Sequence, residues 1–395
     1  MPAQLKSLEI LSLSIPFRTA FRHSAAERSA SENLIVVAEL SDGTVGYGEA
    51  IARPYVSGET LDSAAKVIES VIAPMVANLA PRSFSDLLNK LDEIPLADTR
   101  GKPIVAARCA VELALLDAFA RHFRRGLQEI AGWLGVPAFH LEGSLNSVRF
   151  SGILSADEPR QLVRTLWKMR LFGLRDFKIK LGTDHDEDIL RAVHRVLARG
   201  LRSKRYSLRA DINGVWDLDK ALDAIPILAG FDVCCVEQPL SPADQSIFAA
   251  LRTQVTLPIM VDESLVLPSQ AQAFIKQRSV DFFNIRISKN GGLIPALRLA
   301  HLARKADISY QLGCMVGETA ILSVAGRWFL SMVPQVRFAE GSYGTFLLSD
   351  DISTQRSRFG YGGRIKRPMG PGLGITIDQT KLRRYQTAVL ATIRF

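Results

Sequence analysis

The sequence is poor in cysteine. Cys109, Cys234, Cys235 and Cys314 are the only ones in 395 residues, and no two have C-x-x-C spacing. That excludes a disulfide scaffold and a thiolate metal cluster, and leaves thiols buried in a reducing compartment as the expectation. Long apolar runs are missing too. None reaches the roughly 18 residues that a membrane-spanning helix requires. The opening stretch, residues 1–15, alternates apolar and polar side chains and carries Glu9, so it reads as a strand and not as a signal peptide. A cytoplasmic protein without a membrane partner is expected. No internal repeat and no low-complexity tract interrupts the chain.

Acidic residues are in deficit: 40 against 49 lysines and arginines, a net charge of +9. Basic clusters fall at residues 121–125, 199–205 and 364–367, and none is interleaved with aromatic residues. A nucleic-acid partner is therefore not expected, and the excess charge suits a solvated surface that attracts anionic substrates. The apolar share of 47% is that of an ordinary globular protein, and the length allows two domains or one barrel with additions.

Three zones succeed one another. Residues 1–140 begin with strand-like alternation at 7–15, then 34–40 and 45–48 around the turn signal Asp42-Gly43. Apolar residues at helical spacing follow at 61–79 and 103–123. Strands followed by helices suggest a separate α+β domain. Residues 141–365 change rhythm. Short apolar strands at 148–154, 176–180, 208–211, 233–237, 259–262, 282–287, 309–312 and 336–340 alternate with helical stretches. About eight such units predict a parallel α/β barrel with functional groups at the strand C-terminal ends. Residues 366–395 form a C-terminal segment.

Three acids end three successive predicted strands: Asp211 in R-A-D-I-N, Glu237 in V-E-Q-P and Asp262 in V-D-E-S. The gaps of 26 and 25 residues each amount to one β/α unit, which sets the carboxylates side by side on the barrel rim. Clustered carboxylates repel one another unless a cation joins them, and a hard, oxygen-preferring ion such as Mg²⁺ suits three oxygen donors. One strand earlier, Lys178-Ile179-Lys180 points two lysines to one face. Their mutual repulsion lowers at least one pKa, which suits a general base. In the sixth strand Asn284, Arg286 and Ser288 share a face, Lys289 is out of phase, and Gly291-Gly292 permits a tight turn and close approach to a ligand.

Taken in order, K-x-K at Lys178 and Lys180, D-x-N at Asp211 and Asn213, E-Q-P at Glu237, D-E-S at Asp262 and K-N-G-G at Lys289 resemble the enolase superfamily, in its muconate-lactonizing-enzyme subgroup. The resemblance implies a modified (β/α)8 barrel under an α+β capping domain built from the N-terminal region and the C-terminal tail. It implies Mg²⁺ held by Asp211, Glu237 and Asp262, Lys180 as the proton-transferring base and Lys178 as holder of a substrate carboxylate oxygen. A homo-oligomer is the family habit. By position, loops at 18–31 and 52–60 would cover a small anionic carboxylate substrate, with Arg22, His23, Arg53 and Tyr55 in reach, and Asn213, Lys289 and Glu340 as further substrate contacts from the barrel. Two departures bear on the reaction. Many members carry Lys where this chain has Arg286, and arginine is a poor proton carrier. Dipeptide epimerases of the group usually show D-x-D in the eighth strand, where this chain has Glu340-Gly341-Ser342. A one-base cycloisomerase or lyase reaction is the expectation, with a racemase or epimerase as the alternative.

Overall fold

The computed structural model describes residues 3–23, 26–135, 148–155, 158–183 and 185–395. The N-terminal alternation becomes strands β1 (Leu5–His23), β2 (Ala26–Leu40) and β3 (Val45–Ala50), an antiparallel meander. Leu8 and Ile10 are fully buried on one parity of β1, Leu13 and Ile15 on the other. The switch falls where the pairing register shifts between Ile10 and Leu11, because a bulge turns the strand over. At the β2–β3 turn Gly43 takes φ +84, a left-handed conformation that favours glycine, and Leu40 donates to the Thr44 carbonyl at 2.9 Å.

Helix Val105–His122 lies across this sheet, buried from Val105 to Ala120. Its alanines fit close to β3 because Gly46 and Gly48 stand opposite; a Cβ at Gly48 would fall 1.8 Å from the Ala110 carbonyl oxygen.

Seven parallel strands then follow in order: β4 (Gly152–Leu154), β5 (Asp176–Lys180), β6 (Ser207–Asp211), β7 (Cys235–Glu237), β8 (Ile259–Val261), β9 (Phe282–Ile285) and β10 (Ser309–Leu312). Helices on the outer side separate them, among them Asp186–Arg202, whose first turn is acidic and last turn basic, in line with its dipole. The expected eighth strand at 336–340 is reduced to one residue. Ala339 bridges Leu312 on one side and Phe150 on the other, both parallel, so the ring is closed. It goes no further because the backbone turns at once, with φ +115 at Gly341 and +51 at Ser342. The first barrel strand is likewise shorter than 148–154, with only Phe150 bridging before Gly152.

The C-terminal strand β11 (Gln386–Arg394) pairs antiparallel with β1, giving the order β11-β1-β2-β3. Residues 18–31, expected as a loop, are instead largely the paired arm of β1 and β2, with Phe21 opposite Arg28 and Arg22 opposite Glu27. Phe17, Thr19 and Phe21 continue the period-two pattern that makes this segment a strand.

Gly291 and Gly292 take φ +90 and +123, as a tight turn requires, but the close neighbour is not a ligand. A Cβ at Gly292 would lie 2.4 Å from Glu112 Oε1 of the N-terminal domain. Arg108 pairs with Glu112 and donates to the Gly291 carbonyl at 2.6 Å, while Glu112 accepts from Ile294 N–H at 3.0 Å. This buried joint fastens the barrel to the helix of the N-terminal domain. Three of the cysteines are buried as expected; Cys234 is exposed, since it precedes β7 on the outer side. No helix among the described residues is long and apolar enough to cross a membrane.

Candidate active site

Strand alternation sorts the β5 side chains. Phe177 and Ile179 face the surrounding helices, fully buried, while Lys178 and Lys180 face the barrel axis. Parallel pairing sets Lys180 beside Asp211 and Asp211 beside Glu237, so the charged groups end adjacent strands at one level. Asp262 follows β8 directly and Arg286 follows β9.

Lys178 Nζ lies 3.2 Å from Asp211 Oδ2, 3.1 Å from Glu237 Oε1 and 2.8 Å from Glu340 Oε2. Burial opposes its charge, but Asp211, Glu237 and Glu340 outweigh burial and hold its pKa well above the lysine range. Lys180 goes the other way. Burial lowers its pKa, and the charges of Lys178 and Arg286 add to the effect against Asp211. Its Nζ donates to Asn213 Oδ1 at 3.1 Å, and Asn213 Nδ2 donates to Glu263 Oε1 at 3.2 Å. The two lysines of one motif thus differ: one is a fixed ammonium, the other is depressed toward the neutral amine.

Burial raises the Asp211 pKa, but Lys178, Lys180 and Arg286 bring it down to about 2. Glu237, fully buried, is raised by burial; it accepts from Asn284 Nδ2 at 2.8 Å. Arg286 contacts Asp262 Oδ2, and Lys289 Nζ donates to Asp262 Oδ1 at 2.8 Å. Burial, then the charge of Asp211, pushes Glu263 up to about 7, and its Oε2 is buried without a hydrogen bond.

A cavity of about 290 Å³ opens above these groups. It brings together Lys178, Lys180, Asp211, Asn213, Arg286 and Glu340 from the barrel with Arg53 and Tyr55 from the N-terminal domain. Arg53 is buried and donates to the Ala52 and Glu32 carbonyls at 3.1 and 3.3 Å; burial, then the charge of Arg28, lowers its pKa to about 10. Glu237 and Asp262 lie buried below the lining. Arg22 and His23 end β1, and their side chains lie outside the described residues.

Lys289 requires a correction. It was expected in reach of substrate, but it does not line the cavity. Beyond Ile285 the strand pattern stops, so period-two reasoning no longer applies there. Its Nζ donates to the Asp262 carbonyl, Asp262 Oδ1 and the Asn284 carbonyl at 2.6, 2.8 and 2.9 Å, which uses all three of its hydrogens.

Several site residues were not singled out from the sequence. Arg209 sits on the inner face of β6, two before Asp211, and pairs with Glu340 Oε1 at 3.0 Å; the alternation that placed Asp211 also places it. Gln238, inside E-Q-P, accepts from Asp262 N–H at 2.8 Å and donates to Ser264 Oγ at 2.6 Å, tying the D-E-S segment to β7. Glu263, Cys314, Met315 and Tyr343 join the cavity wall. The last three lie beyond the ends of their strands, where the sequence carries no period to read.

The acids offer hard oxygen donors of the kind that Mg²⁺ prefers, and Glu263 adds an unsatisfied oxygen next to Asp262. As the side chains lie, no three acidic, histidine or cysteine groups among the described residues stand close enough to hold a metal ion. The reason is local: Lys178 takes up Asp211 and Glu237, and Arg286 with Lys289 takes up Asp262. The donor chemistry fits the ion, and side-chain rotation away from these cations is the adjustment it requires.

Comparison with known proteins follows this division of the chain. Residues 160–381 match the family model described as enolase C-terminal domain-like, and residues 9–132 match that of the mandelate racemase / muconate lactonizing enzyme N-terminal domain. The sequence is 26% identical to N-succinyl-L-Arg/Lys racemase of Bacillus cereus over 96% of this chain and 97% of that one. It is 29% identical to muconate cycloisomerase 1-2 of Acinetobacter lwoffii over 97% and 95%. The crystal structure of N-succinyl Arg/Lys racemase from Bacillus cereus superposes with a TM-score of 0.84 at 25% identity, covering 99% of this chain and 100% of that one.

Proposed function

Because the chain belongs to the mandelate racemase / muconate lactonizing enzyme family of enolase-superfamily enzymes, we propose that it removes the proton next to a substrate carboxylate with Lys180 as its proton carrier. Lys180 lines the cavity, and burial with two neighbouring positive charges favours its neutral, basic form. Asn213 fixes the direction of its amine. Lys178, kept charged by three carboxylates, binds a substrate carboxylate oxygen and balances the charge that builds there when the proton leaves.

Asp211, Glu237 and Asp262 would hold Mg²⁺. When bound, the ion would neutralise the substrate carboxylate and the enediolate that follows proton removal. Glu237 is kept in place by Asn284, and Asp262 by Lys289 from below.

The observation that carries the choice of reaction is the identity of residue 286. An arginine, not a lysine, joins Lys180 at the cavity wall, and Lys289 is spent on Asp262. Guanidinium stays protonated, so Arg286 binds an anion and does not exchange a proton with carbon. Proton loss and return on one face follow, as in a cycloisomerisation or a syn elimination on a small organic acid. Arg53 and Tyr55, in the cavity wall, suit an anionic or unsaturated substrate.

A second reading, racemisation or epimerisation of an amino-acid derivative, is favoured by the similarity to the N-succinyl-L-Arg/Lys racemase. It requires a second proton carrier besides Lys180, and Arg286 holds the wall position that a second lysine would take. The test is incubation with Mg²⁺ in D₂O against lactones, muconate, succinylbenzoate precursors, N-acyl amino acids and dipeptides. Deuterium entering one face without inversion supports the one-base reading. Inversion with exchange replaces it with the second.

A further inference from the structure

A groove of about 1060 Å³, separate from the active-site cavity, runs between helix Ala320–Met332 and the chain around residues 353–375. Residues 354–371 contain five cations and no acid. Arg356, Arg358, Arg364, Lys366 and Arg367 all line the groove, with Arg327 beside them.

These charges are not spent within the fold. Among the described residues, the side chains of Arg356, Arg364, Lys366 and Arg367 make no ion pair and no hydrogen bond. Arg358 only covers the Phe346 ring, 4.7 Å from its centroid. Arg327 is anchored through Nε to Ser342 Oγ at 3.2 Å and through Nη2 to the Ser357 carbonyl, which leaves Nη1 without a protein acceptor. Burial lowers its pKa to about 10, and the one acid acting on it, Asp351, is held by Ser357 and the Ala320 N–H. A largely buried guanidinium with Nη1 left over, on a groove that five further cations and no acid line, favours an anion there.

We infer that this groove binds a small oligophosphate, with Arg327 at its inner wall and Arg364 and Arg367 gripping successive phosphate groups. Guanidinium groups match phosphate oxygens in pairs, and several along one groove call for more than one phosphate. Among the described residues no aromatic ring lines the groove, so they offer no stacking surface to the bases of a single-stranded nucleic acid.

The test is calorimetric titration of the full-length protein with tripolyphosphate, and separately with orthophosphate and citrate, at one moderate salt concentration. Saturable binding of one tripolyphosphate per chain is expected, tighter than that of either comparator. The exposed double variant Arg364→Glu/Arg367→Glu should weaken it at least about tenfold, the factor expected from losing a charge-assisted hydrogen bond. Arg327→Gln should weaken it as well. Equal binding by the wild type and the double variant, or no saturable binding, overturns the site. Citrate binding as tightly as tripolyphosphate overturns the phosphate assignment.

Discussion

The Arg286 guanidinium is in contact with the Asp262 carboxylate, across the ends of the neighbouring strands β8 and β9. This pair puts a permanent cation at a cavity position where a titratable amine would supply a second proton carrier. Replacing Arg286 with Lys should therefore change the outcome of the reaction and not merely its rate. The variant is expected to gain exchange with inversion on a chiral acid that the wild type exchanges on one face. Chiral chromatography after incubation in D₂O reads this directly.

With Lys180 as the proposed base, its pKa should set the pH dependence. Its pKa lies below the ordinary lysine value of 10.5, by burial first and then by Lys178 and Arg286. The amine acts as a base only when neutral, so kcat/KM should be low at acid pH, rise through this depressed pKa and level off above it. Asn213→Asp would set a carboxylate against the Lys180 ammonium and move the rising limb to higher pH, by about one unit or more. A pH–rate profile of both proteins with one substrate checks the sign.

Asp262 has structural consequences beyond any metal. It is fully buried and meets both Arg286 and Lys289. Asp262→Asn leaves two buried cations short of their counter-charge, a change that costs about 3–5 kcal/mol in comparable buried pairs. Urea unfolding should show this loss. The double variant Asp262→Asn/Lys289→Met should recover part of it, because the two sites share one interaction.

The proposed metal dependence would have a thermal signature. Magnesium that binds the folded chain alone should raise its melting temperature, by the equivalent of about 2.7 kcal/mol at a hundred times Kd. Glu237→Gln should abolish the rise. The released Lys178 also loses one of three partners, so the variant is compared with itself, with and without Mg²⁺.

Much of this site was legible in the sequence because it sits where strand periodicity is strict. The gaps between Asp211, Glu237 and Asp262, and the parity of Lys178 and Lys180, follow from parallel strands of fixed rise. Legibility failed where the pattern stops. Lys289 lies past the end of β9, so its direction is set by the Gly291-Gly292 turn and by Asp262, not by alternation. The eighth strand is a single bridging residue, Ala339, too short for any pattern. Residues 18–31 were expected as a loop from their position in the family resemblance, although alternation continues at Phe17, Thr19 and Phe21. The glycine pair was read as room for a ligand; a distant helix, carrying Glu112, fills that room. Such contacts join residues more than 150 positions apart, and no local pattern announces them.

The central claim is that Lys180 alone carries the proton to and from carbon. The most direct measurement is deuterium wash-in at the substrate α-carbon, with Mg²⁺ in D₂O, for the wild type and Lys180→Met side by side. The account predicts one-face exchange by the wild type and a loss of about 10²–10⁴-fold in the variant, the range for removal of a general base. Exchange that persists in a folded Lys180→Met protein, or inversion by the wild type, would contradict it.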